Sequence, residues 1–215
     1  MTEMTADAAS GRMMYAMKIT LSYFDAPVSR GEECRLALVH AGLPFTDDRI
    51  KDWPAGKANT PFGALPVLTV EGHGQIAQSN AILQLVGRLG DLHPTDPWVA
   101  AKHEAIMGYV EDLRGRLGPI ARIKDAEEKK RAREEMARGY LQGWGAAIEK
   151  QIGEGPFVGG AKLQVVDIKL FVVLSPFMKG AIDHVPSDVF AAFTKLLRLF
   201  DSVKNHPKTL AWYAK

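Results

Sequence analysis

Apolar and polar residues alternate at the start of the chain, where Met17, Ile19, Leu21 and Tyr23 are interleaved with Lys18, Thr20 and Ser22. A period of two marks a half-buried strand. From Arg30 to Ala41 the spacing changes to a helical one, stopped by Gly42 with Pro44 just beyond. A weaker strand is predicted over 45–50, and Pro66 opens a β-rich run to Glu71. After the turn Gly72-His73-Gly74 comes a short strand over 75–77. A helix then runs from Ser79, read as its N-cap, through an apolar stripe to Leu89. The stretch Asp91-Leu92-His93-Pro94-Thr95-Asp96-Pro97 carries two prolines, and no strand pattern follows it. Helical periodicity instead occupies 98–117, 125–152, 167–179 and 189–204, with a last short piece after Pro207.

This order predicts an α/β, thioredoxin-like N-terminal domain over 17–92 and an all-α helical C-terminal domain over 98–215. Residues 1–16 are small and polar, without the apolar core of a secretory signal. They read as a disordered extension, or as a misplaced start, since Met13, Met14 and Met17 each offer an initiation point.

Composition narrows the class. Lys and Arg number 27 against 25 Asp and Glu, so the charge balance implies no polyanion partner and no nucleic acid. The mixed-sign run over 124–138 reads as a solvated helix face. No apolar run reaches the roughly 18 residues of a membrane span. The single cysteine, Cys34, excludes an internal disulfide framework and fits a reducing compartment, hence a cytoplasmic chain. Without a Cys-x-x-Cys pair, dithiol chemistry is not supported. The six histidines show no ligand spacing, so no metal site is expected.

The chemistry concentrates between Trp53 and Asn80. There the chain reads Trp53-Pro54-Ala55-Gly56-Lys57, then Pro61-Phe62-Gly63-Ala64-Leu65-Pro66-Val67-Leu68, a hairpin, and Gln78-Ser79-Asn80-Ala81-Ile82-Leu83. A proline opening a strand forgoes a ladder hydrogen bond, and a cis Leu65-Pro66 bond would turn the Leu65 backbone outward as a docking edge for an extended peptide. A helix N-terminus bearing a hydroxyl at Ser79 attracts a carboxylate. Together with Leu21-Ser22-Tyr23-Phe24, these motifs resemble a cytosolic glutathione transferase, closest to the tyrosine-type, sigma-like group. The resemblance runs from about Met17 to Lys215.

What that resemblance implies is specific. Tyr23 would be the catalytic group, its hydroxyl donating a hydrogen bond to the glutathione sulfur and favouring thiolate over thiol. Arg30, in Arg30-Gly31-Glu32-Glu33-Cys34-Arg35, resembles the R-A-E-x-x-R opening of the first helix, where the arginine braces the active site. An ordinary ion pair with Glu32 or Glu33 is the competing reading. Trp53 and Lys57 would meet the glycyl carboxylate, Leu65 before Pro66 would pair its backbone with the cysteinyl unit, and Gln78 and Ser79 would hold the γ-glutamyl end. Asp112, with Glu111 as second choice, would reach the γ-glutamyl ammonium of a neighbouring subunit's ligand. An exposed Phe62 would anchor that homodimer. Cys34 reads as a small buried hydrophobe rather than a nucleophile.

The implied partners are glutathione as co-substrate, no further cofactor, and a small hydrophobic electrophile. Its pocket is expected from the Tyr23-Phe24 loop, the helix around Gly108 to Pro119 and the chain near Trp212 and Tyr213. Two alternatives stay open: a glutathione-dependent isomerase or peroxidase using the same thiolate, and a non-catalytic glutathione-binding carrier. The chain departs from the sigma pattern at three places. The loop before Arg30 is longer, Ala64 stands where a lysine is common, and Gln164 replaces a Ser or Thr cap before Asp167, a change expected to cost that helix about 1 kcal/mol.

Overall fold

The computed structural model describes residues 18–214. The expected extension over 1–16, and Met17 with it, lie outside the described residues. The chain divides into two compact units: one holds the described residues up to Asp96 together with the last helix from Pro207, the other runs from Pro97 to His206.

In the first unit the elements are β1 (Ile19–Phe24), α1 (Ser29–Ala41), β2 (Thr46–Ile50), a short α2 (Trp53–Gly56) continued by a 3-10 turn (Lys57–Asn59), β3 (Val67–Val70), β4 (Gly74–Ala77) and α3 (Ser79–Leu89). The sheet order is β2-β1-β3-β4. β1 is parallel to β2 and antiparallel to β3, and β3 is antiparallel to β4. The alternation seen in the sequence is the burial pattern: Ile19, Leu21 and Tyr23 are buried, whereas Thr20 and Ser22 are only partly covered. α1 stops where expected, with Gly42 at φ 69 and the Leu43 N–H bonded to the Leu38 carbonyl. In α3, Ser79, Ile82, Leu83, Val86 and Gly87 are buried at helical spacing, and that stripe packs on α1.

The helical unit contains α4 (Pro97–Ala121), α5 (Ala126–Arg138), α6 (Tyr140–Glu149), α7 (Val165–Met178) and α8 (Thr194–Lys204). The single helix expected over 125–152 is two, because Gly139 adopts φ −108 and ψ −84 between α5 and α6. α8 begins five residues later than expected. Residues 186–193 instead form successive i to i+3 turns that bring Phe190 and Phe193 into the core beside Trp144 and Gly145. The Glu149 carboxylate then accepts the Lys195 and Leu196 N–H groups, both at 2.9 Å, and so starts α8 at Thr194.

The expected extent 98–215 for the helical domain needs correction at its end. The last helix, α9 (Pro207–Tyr213), belongs to the first unit, where it packs on α1. Lys208 Nζ donates to the His40 carbonyl at 2.6 Å, and the His40 ring bonds the Thr209 hydroxyl at 2.8 Å. These polar anchors, not a change in periodicity, decide the partner. Among the described residues, no helix is long and apolar enough to cross a membrane.

Candidate active site

Sheet register gathers the predicted residues at one end of the first unit. Tyr23 and Phe24 close β1 opposite Arg49 and Ile50 of β2, and Trp53 follows three residues after Ile50. β3 runs the other way, with Val67 opposite Ser22, so Leu65 and Pro66 arrive at the same end. β4 turns back again with Ala77 opposite Val67, which delivers Gln78 and Ser79 there too. Four strand ends and the loops joining them therefore meet around Tyr23.

Contacts tie the cluster together. The Tyr23 and Phe24 rings lie 5.2 Å apart edge to face, and the Phe24 and Trp53 rings 5.7 Å apart in the same arrangement. Asp52 caps α2 by accepting the Ala55 N–H, which fixes Trp53 in the first turn and Lys57 one turn on. The Lys57 stem lies across Gly63, held at φ 61, while the side chain is exposed. The Leu65-Pro66 bond is cis. Strand pairing begins only at Val67, which leaves Leu65 just outside the ladder.

The role of Ser79 in its helix is corrected. Gln78, not Ser79, is the N-cap, since the Gln78 carbonyl accepts the Ile82 N–H while its own backbone sits at φ 70 and ψ 114. β4 ends at Ala77, so the whole turn into the helix falls on Gln78. A non-glycine residue at positive φ costs about 1–3 kcal/mol and is characteristic of ligand clamps. Ser79 stands at N1, buried, with a first-turn N–H that has no intrahelical acceptor.

The ring of Tyr23 is buried and rests directly on Gly31 of α1, where a methyl group would overlap it. Sequence reading missed Gly31. Its only signal was a glycine where the resembled motif has alanine. Arg30 is half-buried in the first turn of α1, next to this glycine. The hydroxyl of Ser22 is committed to Asp48 at 2.7 Å, which removes it as a substitute for the Tyr23 hydroxyl. Cys34 is buried in α1.

Asp112 lies in the helical unit, exposed on α4. Its rival Glu111 is occupied: its carboxylate accepts Arg114 at 2.7 Å and the fully buried Lys169 at 2.6 Å. Phe62 is 68% exposed. A largely apolar hollow of about 400 Å³ opens on the helical unit, lined by Lys102, Ala105, Ile106 and Tyr109 of α4, Ala147 and Ile148 of α6, and Gln151. The indole N–H of Trp212, expected at the electrophile pocket, donates to Glu32 instead, at 2.8 Å. Burial, and then the Glu32 carboxylate, push the Tyr213 hydroxyl up from its ordinary pKa.

Comparison with known proteins identifies what the chain is similar to. Residues 111–215 match the family described as glutathione S-transferase, C-terminal domain. The chain is 30% identical over 195 residues to the probable glutathione S-transferase 7 of Caenorhabditis elegans, covering 86% of this chain and 87% of that one. Over 105 residues it is 41% identical to glutathione S-transferase 1 of Ascaris suum, a match spanning about half of each chain. The solved structure of prostaglandin synthase D of Nilaparvata lugens superposes with a TM-score of 0.81 at 28% identity, covering 92% of this chain and 98% of that one.

Proposed function

The chain belongs to the glutathione S-transferase family, and from that premise we propose that Tyr23 activates the thiol of glutathione for transfer to a small hydrophobic electrophile. The observation that carries this reading is the convergence of Tyr23, Trp53, Lys57, Leu65, Gln78 and Ser79 at one end of the sheet. Each group answers a part of the tripeptide. The Trp53 indole N–H and Lys57 ammonium suit the glycyl carboxylate. The Leu65 backbone suits the cysteinyl amide, as an added strand. The first-turn N–H and hydroxyl of Ser79, with Gln78, suit the α-carboxylate of the γ-glutamyl end. The sulfur is thereby delivered to the Tyr23 hydroxyl, which donates to it. The thiol proton leaves to solvent, and the thiolate attacks the electrophilic carbon to form the carbon–sulfur bond as the leaving group departs or the acceptor takes up a proton.

Asp112 completes the site from a second copy. In this reading two chains form a dimer in which Phe62 of each enters the apolar hollow on its partner, an occupant matched to the hollow in polarity, and Asp112 meets the ammonium of the neighbour's glutathione. The buried thiol of Cys34 supports a reducing, cytoplasmic setting. A second reading, isomerisation by the same thiolate, is supported by the likeness to prostaglandin synthase D.

The test is a panel of aryl halides, epoxides, enones, isothiocyanates, hydroperoxides and an endoperoxide, each assayed with glutathione and the purified protein. Conjugate formation with at least one carbon electrophile supports transfer. Turnover of the endoperoxide alone would favour the isomerase, and turnover of none would leave a carrier.

A further inference from the structure

We propose that Arg35 is the positioning residue of Tyr23 and that the terminal helix α9 holds it in that role through Glu32. The inference rests on Tyr23 being the thiol-activating group. Arg35 is fully buried in α1 and spends its donors on the chain that follows Tyr23. Nη2 donates to the Phe24 carbonyl at 3.0 Å and Nη1 to the Ala26 carbonyl at 2.8 Å. The guanidinium also lies over the Tyr23 ring, 5.7 Å from its centroid. These contacts act past the end of the sheet pairing, on the turn that the Ala26 N–H also closes by donating to the Phe24 carbonyl at 2.8 Å.

Two carboxylates aim the guanidinium. Asp47 accepts Nε at 2.8 Å and is held by Arg49, which also pairs with Asp25 of the same loop. Glu32 accepts Nη1 at 3.3 Å. The other oxygen of Glu32 accepts the Trp212 indole N–H at 2.8 Å. Since Lys208 and Thr209 anchor α9 to His40 at the far end of α1, the end of the chain sets Glu32. Glu32 sets Arg35, and Arg35 sets the turn that follows Tyr23 and packs over its ring. A lysine cannot reproduce this, because a point charge has no planar fork to span two carbonyls and two carboxylates.

A merely structural ion pair would alter stability without touching the sulfur, so the test reads the chemistry. Arg35→Lys and Trp212→Phe are made in the full chain, each alone and combined with Tyr23→Phe. Turnover, the Michaelis constant for glutathione and the pH at which the bound thiol ionises are measured by rate and ultraviolet difference absorbance. Arg35→Lys should lower turnover about tenfold to a hundredfold, as expected for a displaced reacting group, and Trp212→Phe about threefold to tenfold for one lost charge-assisted bond. Affinity for glutathione should hold within about twofold and the bound thiol should ionise at higher pH. Neither change should lower turnover further once Tyr23 is Phe, because pairs acting through one group are not additive. Folded variants with wild-type turnover and thiol ionisation, or with undiminished losses in the Tyr23→Phe background, would overturn the proposal. If Arg35→Lys does not fold, Trp212→Phe decides by the same readings. A Tyr23→Phe protein that keeps wild-type turnover would remove the tyrosine reading itself.

Discussion

A hydroxyl that only donates to sulfur contributes to the reaction and little to binding. Tyr23→Phe should therefore reduce turnover by the equivalent of about 2–4 kcal/mol of transition-state stabilisation, leaving glutathione affinity within a few fold. Lys57→Ala and Ser79→Ala should show the opposite split in steady-state kinetics: a raised Michaelis constant for glutathione with turnover preserved, because the carboxylates proposed to meet both groups do not react. Gly31 makes a third prediction at this scale. Its Cα supports the Tyr23 ring, so Gly31→Ala should cost about 1–3 kcal/mol in chemical denaturation and lower turnover, even though alanine favours a helix. The polar ligands are legible in sequence because each is a recognisable type at a motif position. Gly31 and Arg35 are not, since a glycine shows its purpose only through the ring above it, and an arginine inside a helix reads as surface until its burial is seen.

The elements carry a pH dependence. Asp167, in the first turn of α7, is buried and accepts the Val158 and Gln164 N–H groups, both at 2.8 Å. With the Gln164 side chain accepting the Asp167 N–H in return, the helix start forms a capping box, so glutamine serves as the cap it was expected to make poorly. Burial raises the Asp167 pKa from 3.8 to about 7, against the lowering effect of the backbone donors. The folded chain thus keeps a proton that the unfolded chain releases near pH 4. This contribution to stability is full below about pH 4 and is lost as pH climbs through 7. Asp167→Asn should be less stable by about 1–3 kcal/mol, one N–H donor now facing an amide NH2. Its unfolding free energy should also fall less than the wild type's between pH 5 and 8, as followed by urea titration. Element boundaries were readable where a glycine or proline coincided with a change of period, as at Gly42. They were not at Gly139, where heptad-like spacing continues across the break, or at 186–193, where buried phenylalanines mimic a helix.

Assembly is the scale at which the proposed dimer would complete the site. Phe62 is the exposed apolar residue of its loop and the proposed anchor, with the hollow lined by Ala105, Tyr109 and Ala147 as its proposed seat on the partner. Sedimentation should report about twice the 23.6 kDa chain mass, and Phe62→Ser should weaken the dimer and glutathione binding together. An active wild-type monomer would remove Asp112 from the site. The two-part architecture was legible from the loss of strand pattern after the Pro94 and Pro97 boundary. The return of α9 to the first unit was not, because it depends on His40, Thr209 and Glu32, which lie far apart in sequence. The central claim is that this fold ionises glutathione at Tyr23, and the ultraviolet difference absorbance of bound glutathione, titrated against pH, tests it most directly. The account predicts thiolate near neutral pH in the wild type and its displacement to higher pH in Tyr23→Phe; superimposable titrations of the two proteins would contradict it.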